Sequence, residues 1–135
     1  MHRNLTDWGF PEVEVVCAPG DVLPDPAGLR LLLCGMLAED SEVTPARAAF
    51  WRETMGYAPE RLAALLGVKT ELVCAWERSN GLRESMPVVA ARLRLVWALS
   101  GGRDIVQARF GATGSTCGRT VLDHQGDWKL VSASA

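Results

Sequence analysis

A chain of 135 residues has room for one ordinary domain with its own core and hardly for two. Its composition, 48% apolar and 22% charged, is that of a globular protein, and a formal net charge of −2 gives no whole-chain attraction to nucleic acid. No apolar run reaches the roughly 20 residues that span a bilayer. The most apolar stretch, residues 28–38, also lacks the cationic lead-in of a secretory signal. A cytoplasmic chain without a membrane partner is expected.

In chain order, Val13, Val15 and Val16 alternate with Glu12 and Glu14, which reads as a short strand with one wet face, closed by Pro19 and Gly20. Asp25 and Pro26 supply a cap and a first-turn proline for a helix to about residue 40, with Leu29, Leu32, Leu33, Met36 and Leu37 as its apolar stripe. Thr44 and Pro45 repeat the device for a second helix, with Ala46, Ala49, Phe50 and Glu53 at helical spacing and Gly56 as its stop. A third helix runs from Pro59 to Leu66 and is halted by Gly67; a fourth occupies residues 70–79. Residues 80–87 form a loop. Ser85 can cap a long helix, Met86 to Leu99, with Val89, Leu93, Val96 and Trp97 facing inward and Gly101-Gly102 beyond its end. After that the character changes: residues 104–110 and 119–133 favour strands, with Gln125, Gly126 and Asp127 as a turn. The glycine-rich stretch 111–118 exposes backbone N–H groups but lacks the Gly-Lys-Thr/Ser ending and following helix of a nucleotide-binding loop.

Cys17, Cys34, Cys74 and Cys117 form no Cys-x-x-Cys pair, and His2 and His124 are isolated, so reduced and mostly buried thiols are expected, with no metal and no cofactor. Trp51, Trp76 and Trp97 fall on inner helical faces and read as core. Trp8 and Trp128 lie in strand-like flanks and are expected to pack on each other or across a dimer. Asp123 and His124 offer an acid/base pair without a nucleophile nearby, which reads as a hairpin surface rather than a catalytic site. No enzyme is expected.

The stretch 62–80 carries most information. Two short helices that cross steeply need small and apolar residues where their axes approach, and Leu62, Ala63, Leu65 and Leu66 supply them. Gly67 can take the left-handed conformation that ends the first helix, and Val68 plugs the corner. Val73 and Trp76 then face inward on the second helix. Between Gly56 and Ser79 the sequence resembles the XRE-type helix-turn-helix of the lambda-repressor and Cro family, through Gly56, Leu62, Ala63, Leu65, Leu66, Gly67, Val68, Val73, Trp76 and Glu77. Residues 8–100 further resemble the MqsA-like (YgiT-type) antitoxin regulators, whose N-terminal zinc-binding cysteine pairs have no counterpart here.

The resemblance implies a mainly α fold: a five-helix XRE-type arrangement whose DNA-binding helix-turn-helix domain spans residues 44–102, with residues 28–33 or the terminal segment supplying the extra helix, and residues 1–43 as a strand and helix that pack on the domain or dimerise. Residues 103–135 lie outside the resemblance and read as a hairpin-like extension with short strands. It also implies a transcriptional regulator, a repressor with antitoxin-like control of its own promoter, acting as a homodimer on double-stranded DNA with a toxin as a further partner. Lys69, Thr70, Glu71 and Ala75 match the positions that read bases: Lys69 can reach guanine or phosphate, Glu71 can accept from cytosine N4, and Ala75 can touch a thymine methyl. Arg78, Arg61, Arg47 and Arg52 are candidate phosphate contacts. Charge supports this locally, since residues 44–103 hold nine Lys/Arg against five Asp/Glu, a surplus of four. The rival expectation is a protein-binding antitoxin or adaptor that keeps the motif as a scaffold, because Pro59 replaces the usual phosphate-clamping Gln and Ala75 cannot hydrogen-bond a base.

Overall fold

The alternating valines of residues 10–16 become an inner strand of a four-stranded sheet, ordered β1-β2-β3-β4, with all the described helical residues but one short turn falling between its second and third strands. The computed structural model describes residues 2–16, 23–39, 42–78, 86–111 and 119–134. β1 (His2–Leu5) pairs antiparallel with β2 (Phe10–Val16) across a 3-10 turn at Thr6–Trp8 that Gly9 closes at φ +88°. β3 (Arg119–His124) lies parallel to β2, with Val13 opposite Thr120 and Val15 opposite Leu122. β4 (Trp128–Ser134) returns antiparallel to β3 through the turn expected at Gln125–Asp127. Parallel neighbours require a crossover connection, and here the crossover is the whole helical body. The strands therefore do not flank the helices as separate pieces: the ends of segments 1–43 and 103–135 meet in one sheet.

Six α-helices are present among the described residues, which makes the chain mainly helical. α1 (Pro26–Ala38) is capped by the Asp25 carboxylate, which accepts from the Gly28 amide at 3.1 Å. α2 (Pro45–Met55) is capped by the Thr44 hydroxyl and ends at Gly56, φ +81°. α3 (Pro59–Leu66), α4 (Thr70–Trp76) and α5 (Met86–Leu99) follow. Val13, Val15 and Phe10 from β2 join Leu29, Leu33 and Leu37 of α1, Trp51 of α2, Val73 and Trp76 of α4, and Leu93 and Trp97 of α5 in one core. The three tryptophans read as core are buried, and Trp51 meets Trp97 edge-on at 6.1 Å. None of the described helices is long and apolar enough to cross a membrane. Ser85, the stretch 112–118, Cys17 and Cys117 lie outside the described residues. Cys34 is buried and free, its thiol pushed up to about 12 by desolvation; Cys74 is free and half-buried.

Two expectations are corrected. Residues 104–110 are not a strand but most of α6 (Gly102–Phe110). Gly101, at φ +80°, re-aims the chain after α5, and Gly102 seats against Trp97, where a Cβ would lie within 2.4–2.6 Å of the indole ring. The inner stripe of α6 is Gly102, Val106 and the half-buried Phe110, every fourth residue; its first member has no side chain, so the β-branched pair Ile105-Val106 dominates a sequence reading. Of the two alternatives for Trp8 and Trp128, packing on each other is not found within the chain. Trp8 lies 5.7 Å from Phe50, whereas Trp128 donates its indole N–H to the Asp25 carbonyl at 3.0 Å and meets the His124 ring edge-on.

Candidate nucleic-acid interface

α3 and α4 are two short helices joined by three residues, Gly67, Val68 and Lys69. The turn is built locally. Gly67 at φ +67° lets its own amide and that of Val68 bond back to the carbonyls of Ala64 and Ala63, closing α3. Lys69 is extended (φ −77°, ψ 146°), and its carbonyl accepts from Leu72 at 3.0 Å to start α4. The inner faces are Leu62 and Ala63 on α3 and Val73 and Trp76 on α4, all at most 2% exposed. Arg92 of α5 lies over the Trp76 ring at 5.6 Å, which fixes α4 on the body.

With those faces inward, the opposite side is set by helical geometry. Arg61, Lys69, Glu71 and Arg78 are exposed, and Thr70 and Ala75 are half-buried. These six of the eight candidate residues share the surface of the α3–α4 pair. Arg61, Lys69 and Arg78 make no ion pair among the described residues, so their charge is available to an outside anion.

The other two candidates are removed from that surface. Arg47 is only 3% exposed: its guanidinium donates to the carbonyls of Gly9 at 2.9 Å and Glu42 at 2.8 Å, pairs with Glu12, and lies over the Phe10 ring. It is a strut between α2 and the sheet, out of reach of a phosphate. Arg52 is spent as well. It grips both carboxylate oxygens of Glu77 at 2.6 and 2.8 Å and donates to the Tyr57 carbonyl at 2.9 Å. Hydrogen bonding to Glu77 raises its already high pKa further. That pair pins the end of α2 to the end of α4 and so orients α4. Tyr57 adds a hydroxyl contact to Ser100 at 2.8 Å, tying the α2–α3 link to the end of α5. Arg94, also counted in the basic surplus, turns inward to the Leu37 carbonyl in the last turn of α1.

A second polar cluster went unnoticed in the sequence. Arg109 of α6 bridges Asp25, at 2.5 Å, and Asp127, at 2.9 and 3.0 Å, with His124 beside them. Asp25 precedes Arg109 by 84 residues, so no local pattern could have announced their meeting. Comparison with protein-family models, with characterised proteins and with solved structures gives no match.

Proposed function

We propose that the chain is a sequence-specific DNA-binding transcriptional regulator, a repressor of XRE-like helix-turn-helix type that works as a homodimer. One observation carries the reading: Arg61, Lys69 and Arg78 lie exposed on or just beyond the α3–α4 pair with no ion pair among the described residues, while Arg47, Arg52, Arg92 and Arg94 are engaged inside the body; Arg103 on α6 and Lys129 on β4 are exposed too, but stand away from the helix pair in sequence. Duplex affinity rests first on neutralising phosphates, and only unspent charge can do it. In this reading Arg61 and Arg78 bind the backbone on either side of a groove that receives α4. Lys69 adds a third phosphate contact at the start of α4, Thr70 and Glu71 meet base edges, and Ala75 touches a methyl group. Two copies would set their α4 helices about one turn of DNA, roughly 34 Å, apart.

The test is a mobility-shift and anisotropy titration on the DNA upstream of the protein's own coding sequence, against random duplex, over a range of salt. With three phosphate contacts per copy in a dimer, log K should fall against log salt with a slope of about −5. Unaltered migration at low salt by folded protein would sink the reading.

A second reading, a protein-binding module of the antitoxin or adaptor kind, is favoured by one feature. α5 leaves Val88, Ala91, Leu95 and Leu99 exposed along one side, and Leu65 on α3 is also 48% exposed. Apolar stripes of this kind mark contact surfaces. A stoichiometric partner captured without any affinity for DNA would decide for it.

A further inference from the structure

The geometry points to a divalent transition-metal site formed by Asp25, His124 and Asp127, in which Arg109 holds the place of the ion. A ligand nitrogen of His124 and one carboxylate oxygen from each aspartate lie within 4.8 Å of one another. They come from three separate elements: the residue before α1, the end of β3 and the β3–β4 turn.

Each ligand is already oriented by a neighbour. The Gly28 amide holds one oxygen of Asp25 at 3.1 Å, and the Trp128 amide holds one oxygen of Asp127 at 2.9 Å. The His124 ring is set edge-on against Trp128 at 5.3 Å, and Trp128 is in turn fixed by its indole bond to the Asp25 carbonyl. Such outer contacts are what position metal ligands. The outward sides of both carboxylates converge on a single cation, the Arg109 guanidinium, so the cluster is already a focus for positive charge.

A divalent ion concentrates more charge in less space. Ligand distances of about 2.0–2.2 Å need the three donors to draw in by roughly 1 Å each, a small movement for side chains at the surface. Arg109 can leave, because its side chain is 37% exposed and rests over the Phe110 ring. One imidazole with two carboxylates suits zinc and its first-row neighbours rather than calcium or magnesium, which take oxygen alone. Bound there, the ion fastens the C-terminal hairpin to the start of α1 and releases the Arg109 side chain from both aspartates. The site is remote in sequence from α3–α4, so it stands or falls independently of the DNA reading.

Isothermal titration of the intact protein with zinc, and the visible spectrum of its cobalt complex, test this. Wild type should take up one ion. His124→Ala and Asp127→Asn should each weaken binding at least about tenfold, since each deletes a ligand. Arg109→Ala should tighten it about tenfold, because a competing cation is gone. A merely structural ion pair predicts the opposite for Arg109→Ala: loss of order and no gain in metal. His124→Ala keeps the Arg109 contacts, so the decisive comparison does not depend on Arg109→Ala folding; if that variant is unfolded, zinc should restore its helical circular dichroism. No uptake by folded wild type at millimolar zinc overturns the proposal. So does uptake that His124→Ala leaves unchanged, which would place the ion elsewhere, and so does uptake by Arg109→Ala alone.

Discussion

Where α2 meets the sheet and α1, arginines serve as struts, one buried and one half-buried. Arg47 binds two carbonyls and Glu12, and Arg30 reaches Thr54 while covering the Phe50 ring at 4.5 Å. On and just beyond the α3–α4 pair the cations Arg61, Lys69 and Arg78 are instead exposed, with no carboxylate holding them among the described residues. The residue types are much the same, and what differs is the set of acceptors within reach. An arginine beside unpaired carbonyls and a carboxylate is drawn into the fold; one on a helix pair whose inner face is wholly apolar has nothing to be drawn to. A count of charges along the sequence merges these two populations, and only the second can meet a ligand.

Breaking the first population should have the largest effect. Arg47→Ala strips two carbonyls and Glu12 of their partner in a buried place, and the expected loss of stability is about 3–5 kcal/mol, read by denaturant unfolding. The fraction that remains folded should bind DNA normally. Substituting Arg61, Lys69 and Arg78 together by Ala is the mirror experiment. Stability should stay within about 0.5 kcal/mol of wild type, while duplex affinity at low salt should fall about a hundredfold or more. If the triple variant unfolds, or Arg47→Ala loses affinity while folded, the two populations have been wrongly separated. Arg52→Ala lies between them, with an expected cost of about 2 kcal/mol from the half-buried Glu77 pair. Because that pair orients α4, affinity should drop with no change in the salt slope. Lys69→Ala alone should lower the slope by about one unit per copy in anisotropy titrations at several salt concentrations.

What could be read from the sequence was local. Thr44-Pro45 and Gly56 mark α2, and Pro59 and Gly67 mark α3, because caps and stops act within one turn of the residues that make them. The surface of α4 was legible for the same reason: once Val73 and Trp76 face inward, Lys69 and Glu71 have no other place to be. What escaped depended on partners far along the chain. The burial of Arg47 needs Glu12, 35 residues away, and the β2–β3 pairing joins Val13 to Thr120 across all six helices. α6 escaped because its docking residue, Gly102, is recognised only by the Trp97 ring it fits against.

Arg109 is a third kind of cation, committed to partners yet exposed, and it should give the smallest effect. Hydrogen bonding to Arg109 lowers the pKa of both Asp25 and Asp127 in the folded protein below the ordinary carboxylate value of 3.8. Both carboxylates are therefore bound more firmly when ionised in the fold than in the unfolded chain. Their stabilisation is complete above the unfolded value and is lost as pH falls through the lower folded one. Wild type should thus lose thermal stability below about pH 4 more steeply than Arg109→Ala, whose two aspartates lose the largest of the causes that lower their values in the fold. The side chains are about one-third exposed, so the difference should be small and should shrink in high salt. The buried strut Arg47 should show no such salt dependence. Melting temperatures at pH 5 and pH 3, each at two ionic strengths, measure this, and equal acid slopes in the two proteins would mean that Arg109 only rests beside its aspartates.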